Sequence, residues 1–226
     1  MEILEHIPVN LELGEIRRRL HIEQRGDWWN QVQALVEDAQ SLISARAAYK
    51  VCYIKEKLEH GIMIDEISLT SKILRRNLDK AERVFPYVIT LGGDLEQRIK
   101  SMKEPLRQYF LDTIGNVALA TARRYLKNHL KSRYALDGMS FMSPGSLQDW
   151  AIEEQRPLFS ILGDVETSIG VRLNENFLMI PTKSLSGVYF PTEIPFYSCQ
   201  LCARKDCQSR KVAYDVTLVN EYGILK

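Results

Sequence analysis

The sequence has no apolar run near the ~18 residues that a membrane-spanning helix needs. It also lacks the basic-then-apolar start of a secretory leader, because residues 1–20 carry Glu2, Glu5, Glu12 and Glu15. Neither sign of charge prevails: 30 Lys and Arg stand against 29 Asp and Glu. No bulk field is therefore available to hold nucleic acid or an anionic bilayer. Glycine and proline, at 12 and 8 of 226 residues, are too sparse for collagen-like or low-complexity architecture, and 45% hydrophobic content excludes wholesale disorder. These absences point to a cytoplasmic protein with neither a nucleic-acid nor a membrane partner. Cysteine is scarce too. Four residues are too few for a disulfide scaffold, yet Cys199, Cys202 and Cys207 fall within nine residues while Cys52 stands alone.

What is present reads as helices first and strands later. Residues 3–9 suggest a short strand, followed by helical turns around Leu13, Ile16 and Leu20. Trp28, Val32, Leu35, Val36, Ala39, Leu42 and Ile43 step at three and four and form one apolar stripe, with Asp27 as the N-cap. Residues 47–54 and 61–64 read as strands joined by an exposed Lys- and Glu-rich connection. Thr70 or Ser71 caps a helix that turns Ile73, Leu74, Leu78 and Ala81 inward, and residues 85–91 form a buried strand ending on Gly92-Gly93. Asp94 opens a short helix. Pro105 starts a long one, with a core stripe of Leu106, Tyr109, Phe110, Ile114, Val117, Ala118, Ala122, Tyr125 and Leu126.

After Gly138 the texture changes. Residues 139–145 read as a loop and 147–162 as a broken helix. Strands follow at 171–173, 177–180, 184–190, 196–201 and 212–219. No repeat and no Gly-, Ser- or Pro-rich linker divides the chain. The expectation is one α+β domain over 1–226, a curved antiparallel sheet covered by helices starting near Asp27, Ser71 and Pro105.

The most specific local signal is Cys199-x-x-Cys202, four residues, then Cys207-x-x-Arg210. A two-residue gap lets two thiolates of one turn face one ion, and a third a few residues on can close another side. Zinc wants a fourth ligand that this 199–210 motif does not supply. Iron–sulfur clusters usually take four as well, although one iron can stay open. Redox thiols and inert half-buried cysteines are the alternatives. Gly92-Gly93-Asp94 lacks the third glycine of a dinucleotide fingerprint and the Lys of a phosphate loop, so a plain turn is the better reading. His6, His21, His60 and His129 share no ligand spacing and are expected at the surface. Arg123, Arg124, Lys127, Lys131 and Arg133 form a basic end to the long helix. That composition suits the helix dipole, or else an acidic partner. No Ser/His/Asp set, Cys/His pair or paired carboxylates stand out.

Several motifs then occur in a characteristic order. Ser143-Pro144-Gly145 is followed by Gln155-x-x-Leu158-Phe159-x-x-Leu162 and Ile169-Gly170-Val171-x-Leu173-x-Glu175. Met179-x-Pro181 and Ser184-x-Ser186-Gly187-x-Tyr189-Phe190 come next. Upstream, Thr90-Leu91-Gly92, Leu95-Glu96 and Leu111-Asp112-x-Ile114-Gly115 fit the same pattern. With these motifs, residues 30–200 or so resemble the activation domain of cobalamin-dependent methionine synthase. Without substrate barrels or a corrinoid-carrying domain, the chain is similar to short stand-alone versions from anaerobes, some of which share a three-cysteine tail.

The resemblance implies a reactivation partner for a corrinoid-binding protein or methyltransferase, returning inactive Co(II) corrinoid to service with an electron from a reductant protein. Cobalamin would be carried by that partner. A non-catalytic docking or chaperone module is the alternative. Ser143, Pro144, Gly145, Ser186, Gly187, Tyr189 and Tyr197 would face the corrinoid. The family's need for low-potential electrons favours iron–sulfur over zinc at Cys199, Cys202 and Cys207. The family's S-adenosylmethionine motif, an Arg, three residues, then Gly-Tyr, is broken here: Phe141 takes the Arg position and Ser146 the Tyr position, and Asp112 is the sole acid between Leu106 and Lys131. Weak or absent S-adenosylmethionine binding is the expected consequence.

Overall fold

A computed structural model describes residues 1–22, 26–207 and 210–223, apart from the side chains of residues 26 and 27. The N-terminal part contains β1 (Glu2–Leu4), α1 (Leu13–Leu20), α2 (Gly26–Leu42), β2 (Arg46–Tyr49), β3 (Cys52–Leu58), β4 (Gly61–Ile64) and β5 (Ile67–Thr70). Next come α3 (Lys72–Asn77), β6 (Arg83–Thr90), α4 (Asp94–Ser101) and α5 (Pro105–Arg133). The remainder contains β7 (Met139–Met142), α6 (Gln155–Leu162), α7 (Val165–Ile169), β8 (Arg172–Leu173), β9 (Met179–Ile180), β10 (Ser184–Pro191) and α8 (Val216–Glu221).

Strand β6 organises the main sheet. Along one edge it pairs with β2 and then, in the same register, with β3: Arg46 lies opposite Thr90 and Cys52 opposite Val84. Its other edge pairs with β10, Ser184 opposite Thr90 and Tyr189 opposite Phe85, and β10 in turn carries β7. β1 pairs with β2, and β3–β4–β5 form a meander. Every one of these pairings is antiparallel, and the strands after Gly138 join the same sheet as those before it. β8 and β9 make a separate ribbon.

Strand alternation sends side chains to two cores. Tyr49, Phe85, Tyr87, Ile89 and Tyr189 pack with residues of α1, α2, α4 and α5. Val84, Val188 and Phe190 pack with α3, α6, α8 and the fully buried Trp150, while Ala48 and Val88 meet α7. Both faces are thus covered, in an α+β arrangement.

Local chemistry accounts for the element ends. Ser71 caps α3, its Oγ accepting from Leu74 N at 2.9 Å. Asp149 supports that cap by accepting from Ile73 N at 3.0 Å and from the Ser71 hydroxyl. α2 is described from Gly26 onward, and the side chain of Asp27, expected as its cap, lies outside the described residues. Leu106, Tyr109 and Tyr125, expected in the core, are 42%, 46% and 39% exposed. The buried stripe of α5 instead includes Leu111, Thr113, Gly115, Leu119 and Leu130, because helices as well as the sheet pack against it. β3 runs through the expected Lys- and Glu-rich connection. The expected strands at 196–201 and 212–219 are a 3-10 turn at Ser198–Leu201 and the helix α8.

Three of the four histidines are exposed as expected, whereas His129 is half-buried with Nε2 3.2 Å from the Tyr49 hydroxyl. That hydroxyl also donates to Glu2 at 2.8 Å, as Tyr134 does at 3.0 Å, and Arg133 pairs with Glu2 at 2.9 Å. Burial pushes the Glu2 carboxyl up, but the hydrogen bonds from Tyr49 and Tyr134 and the charges of Arg133 and His129 outweigh it and leave the pKa below 4.5. A carboxylate depressed on folding contributes stability above its unfolded pKa and loses it as pH falls through the folded one. Thermal unfolding between pH 5 and 3 should therefore show a shallower acid decline in Glu2→Gln than in the parent. An identical slope would remove Glu2 from the acid limb.

Candidate functional site

β7 is a strand where a loop was expected, and it leads into the turn that carries Ser143, Pro144 and Gly145. Gly145 N donates to Trp150 O at 2.7 Å, and Ser146 N and Oγ donate to Ser143 O at 3.1 and 2.6 Å. Gly145 has φ +77°, and a Cβ there would lie 2.8 Å from Ile152 Cδ1. Left-handed backbone and side-chain crowding both select glycine. Pro144 is buried, whereas Gly145 and Ser146 are exposed at the tip.

The residues expected to share a corrinoid-facing surface divide across the sheet. Ser186 is buried on the α6 side, donating to Gln155 Oε1 at 2.6 Å. Gly187 and Tyr189 point the other way, and Gly187 is pressed against the turn: a Cβ on it would lie 2.3 Å from Met142 O and 2.8 Å from Ser143 Oγ. Tyr189 is fully buried, donates to Arg123 O at 3.1 Å and stacks on Tyr87 with centroids 4.5 Å apart. It is core and offers no edge to a macrocycle. Burial drives the Tyr87 and Tyr189 phenols upward in pKa. Tyr197, 37% exposed, stands at the mouth of the cysteine tail.

Phe141 packs against Tyr189 at 5.7 Å, and the Arg123 guanidinium covers the Phe141 ring at 4.4 Å. Asp112 is engaged elsewhere: it pairs at 2.7 Å with Lys183, whose ammonium also donates to Asn116 at 2.8 Å.

Cys199, Cys202 and Cys207 are half-buried free thiols, and Cys52 is buried apart from them. Among the described residues, no three His, Cys, Asp or Glu side chains are grouped to hold a metal ion. Arg210 occupies the loop instead. Its guanidinium donates to the carbonyls of Cys199 and Cys202 at 2.9 Å each, to Val212 O at 3.3 Å and to Arg204 O. A guanidinium suits this geometry because its N–H groups fan out in one plane. The described cysteine arrangement does not fit a three-thiolate metal centre.

A feature with no periodic or motif signature is a groove of about 950 Å³ at the opposite end of β7, lined by Arg76, Gly138, Ile194 and Tyr222 among others. Its walls come from distant segments. Ile194, 81% exposed, could be read from sequence only as an apolar residue in a Pro-flanked loop.

The site thus consists of a turn after β7, closed on β10 at Gly187, in an antiparallel sheet flanked on both faces by helices. A family model for the activation domain of vitamin B12 dependent methionine synthase matches residues 144–211, which begin in this turn and end in the cysteine tail. The fold is similar to that in a crystal structure of the MetH reactivation domain bound to AdoHcy. The two align with a TM-score of 0.55 and 15% identity over 87% of this chain and 80% of that one. No curated protein sequence matches the chain.

Proposed function

We propose that this protein docks on a corrinoid-binding protein or methyltransferase and assists the return of inactive Co(II) corrinoid to its reduced, methylated state. The observation that carries this is the activation-domain match over residues 144–211, laid on the turn at Ser143, Pro144 and Gly145. Cobalamin belongs to the partner, and a reductant protein supplies the electron. Contact is made through the exposed side of the turn, at Gly145 and Ser146, together with Tyr197. Gly187 acts from below, where its lack of a Cβ lets the turn close on β10, while Ser186 and Tyr189 serve the packing on either face of that strand. Cytoplasmic action fits this role. A metal on the cysteines would need the tail to reorganise around Arg210. Metal analysis after anaerobic purification separates iron with sulfide, zinc, and neither.

The test is affinity for a cobalamin-loaded carrier protein. Ser146→Trp combined with Tyr197→Ala should weaken binding at least about tenfold, ~1.4 kcal/mol, with unchanged circular dichroism and thermal midpoint. Unchanged affinity would put the docking face elsewhere.

In this reading S-adenosylmethionine is bound weakly. Phe141 in place of a guanidinium, and Ser146 in place of a Tyr, remove a charge-assisted bidentate contact and a second polar partner. That loss is worth roughly 3–6 kcal/mol, on the order of a hundred- to ten-thousand-fold in affinity. Calorimetry should accordingly find no micromolar site, and micromolar binding would mean that Arg123, over the Phe141 ring, has taken the contact.

A further inference from the structure

We propose that the groove at the far end of β7 is the interface of a two-fold symmetric dimer, occupied by a second copy of this chain. Its position follows from strand register. Tyr53 of β3 lies opposite Arg83 of β6, Phe85 opposite Tyr189 of β10, and Pro191 opposite Met139 of β7. Four strands therefore run out together at this end of the sheet. One wall is the β3–β6 side, with Tyr53, Arg83 and the turn after α3 that carries Lys80. The other is the β7–β10 side. There Thr192 N donates to Gly138 O at 3.2 Å, so Asp137 and Glu193 are carried on adjacent backbone. Phe196 and Tyr222, with ring centroids 6.4 Å apart, add aromatic surface to the lining.

Ile194 and Tyr53, 81% and 67% exposed, are the two most exposed large apolar side chains among the described residues. Both line this groove, Tyr53 on the first wall and Ile194 on the second. Scattered singly, such residues need no partner, but gathered at one concavity they mark an interaction surface. A small ligand would cover the aromatic lining and leave both side chains in water, whereas a protein surface covers all of them.

The charges select which protein. Lys80 and Arg83 on the first wall, and Asp137 and Glu193 on the second, have no ion-pair partner among the described residues. Arg83 is held by the Phe85 and Tyr134 rings, each 5.4 Å from its guanidinium. Of the two acids on the first wall, Asp79 is engaged by Arg75 at 3.0 Å, which leaves Glu82 against Arg76, Lys80 and Arg83. The second wall carries no Lys or Arg. A two-fold axis running along the groove lays each wall on the other wall of the partner. Basic then meets acidic twice, and each Ile194 meets the partner's Tyr53. A groove with opposite signs on its two walls is complementary to itself.

Sedimentation velocity of the full chain from about 1 µM to about 1 mM should show a reversible monomer–dimer equilibrium. Ile194→Asp, at an exposed loop position, should weaken dimerisation at least about tenfold with an unchanged circular dichroism spectrum. Charge reversal then tests the symmetry. Lys80→Glu and Glu193→Lys should each weaken self-association, because each spoils both symmetric contacts. An equimolar mixture of the two should dimerise more strongly than either alone, since the mixed dimer has one native contact and one reversed on both sides. A parent that stays monomeric throughout overturns the proposal, and uptake of a hydrophobic dye that Ile194→Asp prevents would then assign the groove to a smaller ligand or a different protein. A dimer that Ile194→Asp leaves intact places the interface elsewhere. A mixture no stronger than its components overturns the pairing of opposite walls.

Discussion

Replacing Gly187 with valine is expected to unfold the protein or cost it at least about 3 kcal/mol, at the upper end of what overpacking inflicts. The obstacle is main chain. A Cβ at this position lies 2.3 Å from Met142 O and 3.2 Å from Met142 C, with Ser143 Oγ at 2.8 Å. Rotation of the Ser143 side chain would relieve the last contact only. Retreat of the backbone is blocked because β10 pairs on one edge with β6, Gly187 facing Tyr87, and on the other with β7, Val188 facing Met142. Even alanine meets the clash, so Gly187→Ala should show a clear fall in thermal midpoint, and Gly187→Val a larger one or insoluble expression. A domain's total margin is only about 5–15 kcal/mol. Urea unfolding of both variants is the measurement, and near-parental midpoints would show that the turn can lift off the sheet. Gly187 is therefore a determinant of the fold, and replacing it cannot serve as a clean probe of docking.

What the sequence revealed and what it hid follow from how local each determinant is. α2 and α5 were legible because a long 3.6-residue period survives any tertiary context, and Ser71 because a cap is made within one turn. The faces of α5 were less so: Tyr109 and Tyr125 continue the apolar stripe in sequence, yet they turn to solvent while Thr113 and Gly115 are buried against other elements. β7 was missed because Met139-Ser140-Phe141-Met142 is short and has no strong alternation; it is a strand because β10 offers it an edge. The same limit applies to the candidate site. Motif order pointed to the turn at Ser143, Pro144 and Gly145, but reading 186–189 as one surface overlooked the two-residue period that puts Ser186 and Gly187 on opposite faces. In the tail, β-branched and aromatic residues suggested strands, whereas with no sheet edge to join, the chain forms a 3-10 turn and α8. Arg210's part is set by where its guanidinium points, which spacing alone does not encode.

Arg210→Ala should release the cysteine tail while leaving the rest of the fold in place. Three of its carbonyl contacts span 2.9 to 3.3 Å, on Cys199, Cys202 and Val212, and the fourth is on Arg204. Hydrogen bonds to a charged donor contribute ~1.5–3 kcal/mol each, and exposure reduces that, so a local loss of about 2–4 kcal/mol is expected. The carbonyls of residues 199–212 would then face solvent without the group that gathers them. Opening of that size makes the thiols accessible on the order of thirty- to a thousandfold more often. Alkylation of Cys199 and Cys202 by a neutral thiol reagent, followed residue by residue, should accelerate accordingly. Cys52 is the internal control: it is 4% exposed, and burial pushes its thiol up to about 11, so its rate reports global opening and should not move. Arg210→Lys should rescue only in part, since one ammonium cannot reach four carbonyls with a planar fork. If alkylation in Arg210→Ala matches the parent at Cys199 and Cys202, the tail is held by something other than this guanidinium. If Cys52 accelerates with them, Arg210 supports the whole fold.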